Sequence, residues 1–264
     1  MENSTLWIKD TRDSQWVHQH NDIKDFALDG TRVGVLTTDG ILLVKDGDLS
    51  ADWVHQRNDV KDFALNGTRV GVLTTDGILL VKDGGLSADW VHQHNDVKNF
   101  ALNGTRVGVL TMDGILLVKD GGLSADWVHQ HNDVKNFALN GTRIGVLTTD
   151  GILLVKDGGL SADWVHEEDD IKDFRIANKV ITIRNENSVV RYKEGALKAA
   201  WNSDERHDVD NFSIFVRGLQ PHTPEARCPQ TYCVGFFEAC CTDGRFLGTC
   251  FGIWGCSPLE KNSE

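Results

Sequence analysis

The chain has 264 residues, 40% hydrophobic and 25% charged, and its 27 basic against 39 acidic side chains leave a net charge of -12. Such a composition buries a core and is not that of a disordered tail, while the acidic balance repels phosphate and argues against nucleic acid or an anionic membrane as partner. No apolar run reaches the roughly 18 residues of a membrane span, and Met1-Glu2-Asn3-Ser4 does not open a basic-then-apolar secretory leader, which reads as cytoplasmic.

In chain order, the first β-compatible run is Leu6-Trp7-Ile8-Lys9-Asp10, and the same pattern returns as Leu79-Leu80-Val81-Lys82-Asp83. Trp16, Trp53, Trp90, Trp127, Trp164 and Trp201 then follow one another at intervals of 37 residues. A fixed period of this size signals a solenoid, a propeller or an array. The units starting at Trp53 and Trp90 differ at three positions: Arg57 against His94, Asp62 against Asn99, Thr75 against Met112. Copies this alike point to recent duplication, so their sameness is not evidence of function.

Within one unit, Asn66-Gly67, Asp76-Gly77 and Asp83-Gly84 punctuate the chain as turns. They separate four short runs suited to strands: Val60–Leu65, Thr68–Thr74, Ile78–Lys82 and Asp89–His92. No window carries the helical periodicity of a crossover helix. The expected fold is therefore all-β, a propeller of four-stranded antiparallel blades whose radial repetition protects the sheet edges. A stacked β-solenoid is the runner-up, since its coils rarely carry three tight hairpins each.

The unit from Trp164 has drifted but keeps its strands. Beyond Trp201, Val209–Arg217 matches a first strand, and Tyr232–Cys241 runs into Thr242-Asp243-Gly244 like a second strand into its hairpin. An insertion falls around Leu219–Thr231. Six blades result, the last closed by both termini; five or seven require one strand to be misassigned. The corresponding organisation is 1–218 for the repeats and 219–264 for the insertion and a cysteine-rich segment completing the last blade.

Val60-Lys61-Asp62-Phe63-Ala64-Leu65, the run Arg69–Val81 and Trp90-Val91 together resemble a tectonin-type repeat, with Val70-Gly71-Val72 standing where that family has Trp-Gly-Val. The resemblance covers residues 6 to about 217. It implies a propeller lectin, tachylectin-like in style, that recognises microbial surface glycans.

The most chemically loaded segment is the one after each tryptophan, Trp-Val-His-Gln-x-Asn-Asp. An indole covers the apolar face of a pyranose, and neighbouring amides and carboxylates fix its hydroxyls. The carbohydrate-binding candidates are accordingly Trp16, His18 and Asn21; Trp53, His55 and Asn58; Trp90, His92 and Asn95; Trp127, His129 and Asn132; and Trp164 with His166. The competing role for the same indoles is packing between blades. His92 and His94 have a metal-compatible spacing, yet a metal site needs three or four ligands with outer support, so no metal or cofactor is expected. The acidic turns lack the ligand series of a calcium loop, and the Asn-Gly-Thr triplets at Asn66, Asn103 and Asn140 read as turns before glycosylation sites.

No nucleophile elbow, metalloprotease motif or phosphate loop is present, and near-identical copies do not supply the distinct roles catalysis needs; the chain reads as a non-enzyme. All six cysteines fall at the end: Cys228, Cys233, Cys240, Cys241, Cys250 and Cys256. An even count at short spacing suggests disulfides and an oxidising compartment, against the cytoplasmic signal of the N-terminus, with roughly 15 pairings open. The sequence thus points to a multivalent lectin. The alternative is a protein-interaction scaffold with a disulfide-stabilised tail and an acidic face for a basic partner.

Overall fold

In the computed structural model, residues 4–11, 13–202, 205–209 and 212 are described, together with the backbone of a short hairpin formed by residues 241–242 and 245–246. The chain runs β1 (Leu6–Ile8), β2 (Val17–His20), β3 (Ile23–Asp29), β4 (Arg32–Thr37), β5 (Leu42–Asp46), β6 (Val54–Arg57) and β7 (Val60–Asn66). It continues through β8 (Arg69–Thr74), β9 (Leu79–Asp83), β10 (Val91–His94), β11 (Val97–Asn103), β12 (Arg106–Thr111), β13 (Leu116–Asp120) and β14 (Val128–His131). Then come β15 (Val134–Asn140), β16 (Arg143–Thr148), β17 (Leu153–Asp157), β18 (Val165–Glu168), β19 (Ile171–Ala177), β20 (Val180–Asn185), β21 (Val190–Glu194), β22 (Cys241–Thr242) and β23 (Arg245–Phe246).

Four sheets, β3–β6, β7–β10, β11–β14 and β15–β18, are complete four-stranded antiparallel meanders. β19–β21 form a fifth, extended by an isolated bridge between Val190 and Arg206. β1 and β2 pair as the outer half of another: Leu6 lies opposite His20 and Trp7 opposite His18, as Leu79 lies opposite His94 and Leu80 opposite His92. The first strands β3, β7, β11, β15 and β19 neighbour one another in turn, so each sheet is a blade with its first strand innermost. The chain is a β-propeller, and its sheets fit about six blades.

The sixth unit announces itself at Asp208, whose φ of 59° is the left-handed conformation that Asp22, Asp59, Asp96, Asp133 and Asp170 take, at 53° to 58°, before the first strands. Val209 donates its amide to Ser188 as Ile171 does to Gly151. Most of the closing strand expected over 209–217, the strand expected from Tyr232 and the insertion lie outside the described residues. Thr242 lies opposite Arg245, and the Asp243-Gly244 pair expected to turn the chain there lies outside the described residues.

The core lies between blades. One cluster joins Leu36, Leu42 and Val44 of one blade to Val60, Phe63, Val70 and Val72 of the next, and equivalent clusters recur round the ring. Gly71 is where this packing is tightest. A Cβ there would lie 2.6 Å from Phe100 of the following blade, and Gly34, Gly108 and Gly145 face Phe63, Phe137 and Phe174 in the same way. The glycine that stands in the tectonin-like triplet therefore has a structural cause, the close approach of a phenylalanine ring.

Polar staples join the same seams. Arg69 is buried; its Nε donates to Asp83 at 2.9 Å, and its two terminal nitrogens donate to the carbonyls of Thr105 and Gly121 in the next blade, both at 2.7 Å. Arg106 repeats the set with Asp120, Thr142 and Gly158. Val180 stands at this position in the fifth unit, so the staple stops there. On the same side of the ring the first hairpin of each unit is a two-residue reversal at Gly67-Thr68 with Asn66 opposite Arg69, one residue later than the Asn-Gly pair suggests. Gly67 takes φ 56°, and Asn66 is left in the strand with its carboxamide free to reach the next blade.

Candidate functional site

Each repeat tryptophan precedes the last strand of its blade instead of opening it: β10 begins at Val91. Trp90 packs with Leu86 against the seam cluster, and Trp127, Trp164 and Trp201 occupy equivalent places. From Trp53 onward the ammonium of a lysine eight residues earlier covers each ring, at 5.0 Å for Lys45 and Trp53, 4.9 Å for Lys82 and Trp90, and 4.8 Å for Lys119 and Trp127. His94 meets Trp127 edge-on at 5.9 Å, and the Trp127 indole N–H donates to the Gln93 carbonyl at 3.3 Å. His20 and His131 meet Trp53 and Trp164 similarly. Trp53, Trp90, Trp127 and Trp164 are thus half-buried between blades, which is the packing role; Trp16, with Lys9 over its ring at 5.1 Å, stays more exposed at 44%.

The lysines beneath these indoles are buried, which their sequence pattern does not advertise. Lys82 donates to the Leu86 carbonyl and to Gln56 of the preceding blade, and burial, reinforced by the Arg32 charge, holds its ammonium below the ordinary lysine range. In the fifth unit Glu167 replaces that glutamine and forms a buried ion pair with Lys193. Burial raises the Glu167 carboxyl against the opposing pull of Lys193.

The polar residues expected to accompany the indoles lie elsewhere. A register shift between His92 and His94 breaks the alternation of the last strand, so Val91 and His92 are both exposed and Gln93 is buried. Trp90 is half-buried against the seam, whereas His92 is exposed. The Nε2–H of His92 donates to Asn95 Oδ1 at 2.8 Å, and His18 with Asn21, His55 with Asn58 and His129 with Asn132 repeat that bond at 2.8 Å. His166 makes it to Asp169. These pairs sit on the turn leading to the next blade, whose aspartate carbonyl accepts the amide of the neighbouring hairpin, as Asp59 does from Thr75 at 2.9 Å.

The turns and hairpins together put nine exposed aspartates on one face: Asp22, Asp59, Asp96, Asp133 and Asp170 from the turns, and Asp39, Asp76, Asp113 and Asp150 from the hairpins. Five exposed lysines, Lys24, Lys61, Lys98, Lys135 and Lys172, lie just inside them at the start of the first strands. On the opposite face, Asp46, Asp83, Asp120 and Asp157 are paired with buried arginines. That opposite face also exposes Asp52, Asp89, Asp126 and Asp163 in the loops between third and fourth strands, so both faces are acidic.

One aromatic escaped the repeat pattern. Trp7 occupies the position held by Leu43, Leu80, Leu117 and Leu154 in the other blades; it is 51% exposed and meets His18 edge-on at 5.1 Å. Asn21 Oδ1 accepts from both His18 and Thr5, and the adjoining cleft between the turn at residues 18–22 and the hairpin at 37–41 encloses about 340 Å³. Its signal in the sequence was the break from leucine. Among the described residues no group of three metal-ligating side chains converges, and no helix is long and apolar enough to cross a membrane. Of the cysteines, Cys241 begins β22; Cys228, Cys233, Cys240, Cys250 and Cys256 lie outside the described residues.

No protein-family model matches this chain, so the tectonin-type likeness rests on the repeat pattern alone, and no curated protein matches its sequence. Solved structures do. Prp20p of Saccharomyces cerevisiae, whose structure was reported with its binding to Gsp1p and histones, is 11% identical over 64% of this chain and 56% of its own, with a TM-score of 0.52. Hsv2 of Kluyveromyces lactis is 15% identical over 68% and 64%, also at 0.52. The computationally designed protein Ika8 is 14% identical over 74% and 63%, at 0.55. This chain spans less than two thirds of each. At these identities the likeness defines the class, a β-propeller of repeated blades.

Proposed function

We propose that this propeller is a non-catalytic docking ring that binds a cationic protein segment on its turn face. The observation that carries this is the presentation of nine exposed aspartates by backbone held in successive identical turns, against five lysines set inside them. A rigid acidic surface raises the local concentration of a basic partner and speeds its encounter. Prp20p, with a ring of the same fold, has Gsp1p and histones as partners, a precedent for protein docking on such a scaffold. The test is binding to a lysine-rich peptide at low and high ionic strength, repeated with Asp59→Asn, Asp96→Asn and Asp133→Asn combined. Asparagine tolerates the positive φ of these turns, so the fold is kept while three charges go. Affinity should fall in the variant and with salt; binding indifferent to both would refute the proposal.

The exposed Trp7 favours a second reading, a glycan site on the first blade. The indole offers a ring face, and His18, Asn21 and Asp39 around the cleft offer partners for hydroxyls. The equivalent His-Asn pairs at His55, His92 and His129 lack that aromatic neighbour, so this reading predicts one dominant site. Trp7→Ala should abolish binding on a glycan array, at low and high salt alike; an array blank for the unaltered protein removes this reading and leaves the first intact.

A further inference from the structure

The side of the ring opposite the acidic turns carries three Asn-Gly pairs, Asn66-Gly67, Asn103-Gly104 and Asn140-Gly141. This dipeptide is chemically labile. The glycine backbone nitrogen attacks the asparagine side-chain Cγ, an N–C bond forms, and the carboxamide nitrogen leaves as ammonia with the amide proton. Water then opens the cyclic imide to aspartate or to isoaspartate, whose backbone runs through the side chain. No oxidant or further reactant is needed.

Both reacting groups are held here by neighbouring blades. The Gly104 N–H donates to Asn66 Oδ1 at 2.6 Å, and the Gly141 N–H donates to Asn103 Oδ1 at 2.7 Å. Asn140 Oδ1 accepts the N–H of Asn178 at 2.7 Å, and the Asp29 carboxylate accepts the N–H of Gly67. Every attacking nitrogen is thus engaged by the preceding blade, and every target carboxamide is drawn toward the following one. At Asp29 the sequence already holds the acid that deamidation would create, and the bond between blades is still made.

We propose that Asn66, Asn103 and Asn140 are latent deamidation sites, guarded in the assembled ring by this chain of hydrogen bonds between blades. Conversion to aspartate preserves the seam, as Asp29 shows, whereas isoaspartate lengthens the backbone at the hairpin and breaks it. The guard acts one unit at a time: Asp29→Ala releases Gly67 and exposes Asn66, whereas Asn66→Ala releases Gly104 and exposes Asn103.

The test is peptide mass spectrometry of the folded protein during incubation at physiological pH and temperature, beside a urea-unfolded sample. All three sites should react slowly when folded and fast when unfolded. Losing one such bond should raise the rate about tenfold at the released site, since about 1.4 kcal/mol is a factor of ten. The rise should appear at Asn66 in Asp29→Ala, at Asn103 in Asn66→Ala, and at none of Asn66, Asn103 and Asn140 in Asp29→Asn, which keeps an acceptor. Equal rates in folded and unfolded protein, or no site-specific rise in the two alanine variants, would overturn the guard.

Discussion

Gly108→Ala is the sharpest test of how the blades fit. The substituted Cβ would lie 2.6 Å from Phe137 Cε2 and 3.0 Å from Leu139 Cδ1, both side chains of the next blade's innermost strand. Elsewhere in a strand the exchange stabilises by about 0.5–1 kcal/mol, because glycine has more backbone freedom to lose. Here the ring has to move within a close-packed core, at a cost of about 1–3 kcal/mol. The net expectation is a loss of roughly 1–2 kcal/mol, or about 2–8 °C in Tm for a chain of this size. Gly122→Ala is the control, since a Cβ there meets nothing within 4 Å. Thermal melting of both variants, with Phe137→Leu and the double variant, closes a cycle in which the pair should couple by about 0.5–3 kcal/mol. If Gly108→Ala melts with Gly122→Ala, the ring does not need that glycine and the seam argument fails. The fifth unit has Thr182 at this position, and there Phe212 of the sixth unit lies against the Arg175 guanidinium, with its centroid 5.5 Å away.

Four further outcomes are expected. Arg106→Met removes the donors to Asp120, Thr142 and Gly158 and should destabilise by about 3 kcal/mol in chemical denaturation, whereas exposed Lys98→Met should stay within about 0.5 kcal/mol. Hydrogen bonds from the Thr105 hydroxyl and then Arg106 hold the Asp120 carboxyl below its ordinary 3.8, and Asp46, Asp83 and Asp157 are lowered in the same way. Their contribution is therefore complete above about pH 4 and drains as pH falls below it; Asp120→Asn should make the acid-unfolding curve shallower. At the ion pair, Lys193→Met strands the buried Glu167 and should cost about 3–5 kcal/mol, while Glu167→Gln, which restores the pairing of Lys82 with Gln56, should cost far less. Trp127→Ala should destabilise by about 3–5 kcal/mol in the same assay, and Trp7→Ala by less than about 0.5 kcal/mol, because only the first fills a seam.

Much of the architecture was legible without coordinates. The interval between tryptophans, the turn residues and the short β-rich runs announced the repeated blade because these signals are local: a glycine at positive φ or a two-residue reversal is written into neighbouring residues. The expected edges of the strands were off by one or two positions where tertiary contacts took over. Trp90 left its strand to fill the seam between blades, and Asn66 proved to be a strand residue reaching across to Gly104.

The chemistry of the side chains was decided by the ring. Lys82 and Arg69 are buried because partners 26 to 52 residues away lie across a blade boundary and supply the oxygens they need. His92 and Asn95 are hydrogen-bonded to each other at the turn leading to the next blade, while Trp90 packs against the seam. The repeat, the strands and the turns are written locally, since each depends on residues a few positions apart. Which indoles pack and which charges are buried waits on the fold, because a blade's side-chain environment is made largely by its neighbour.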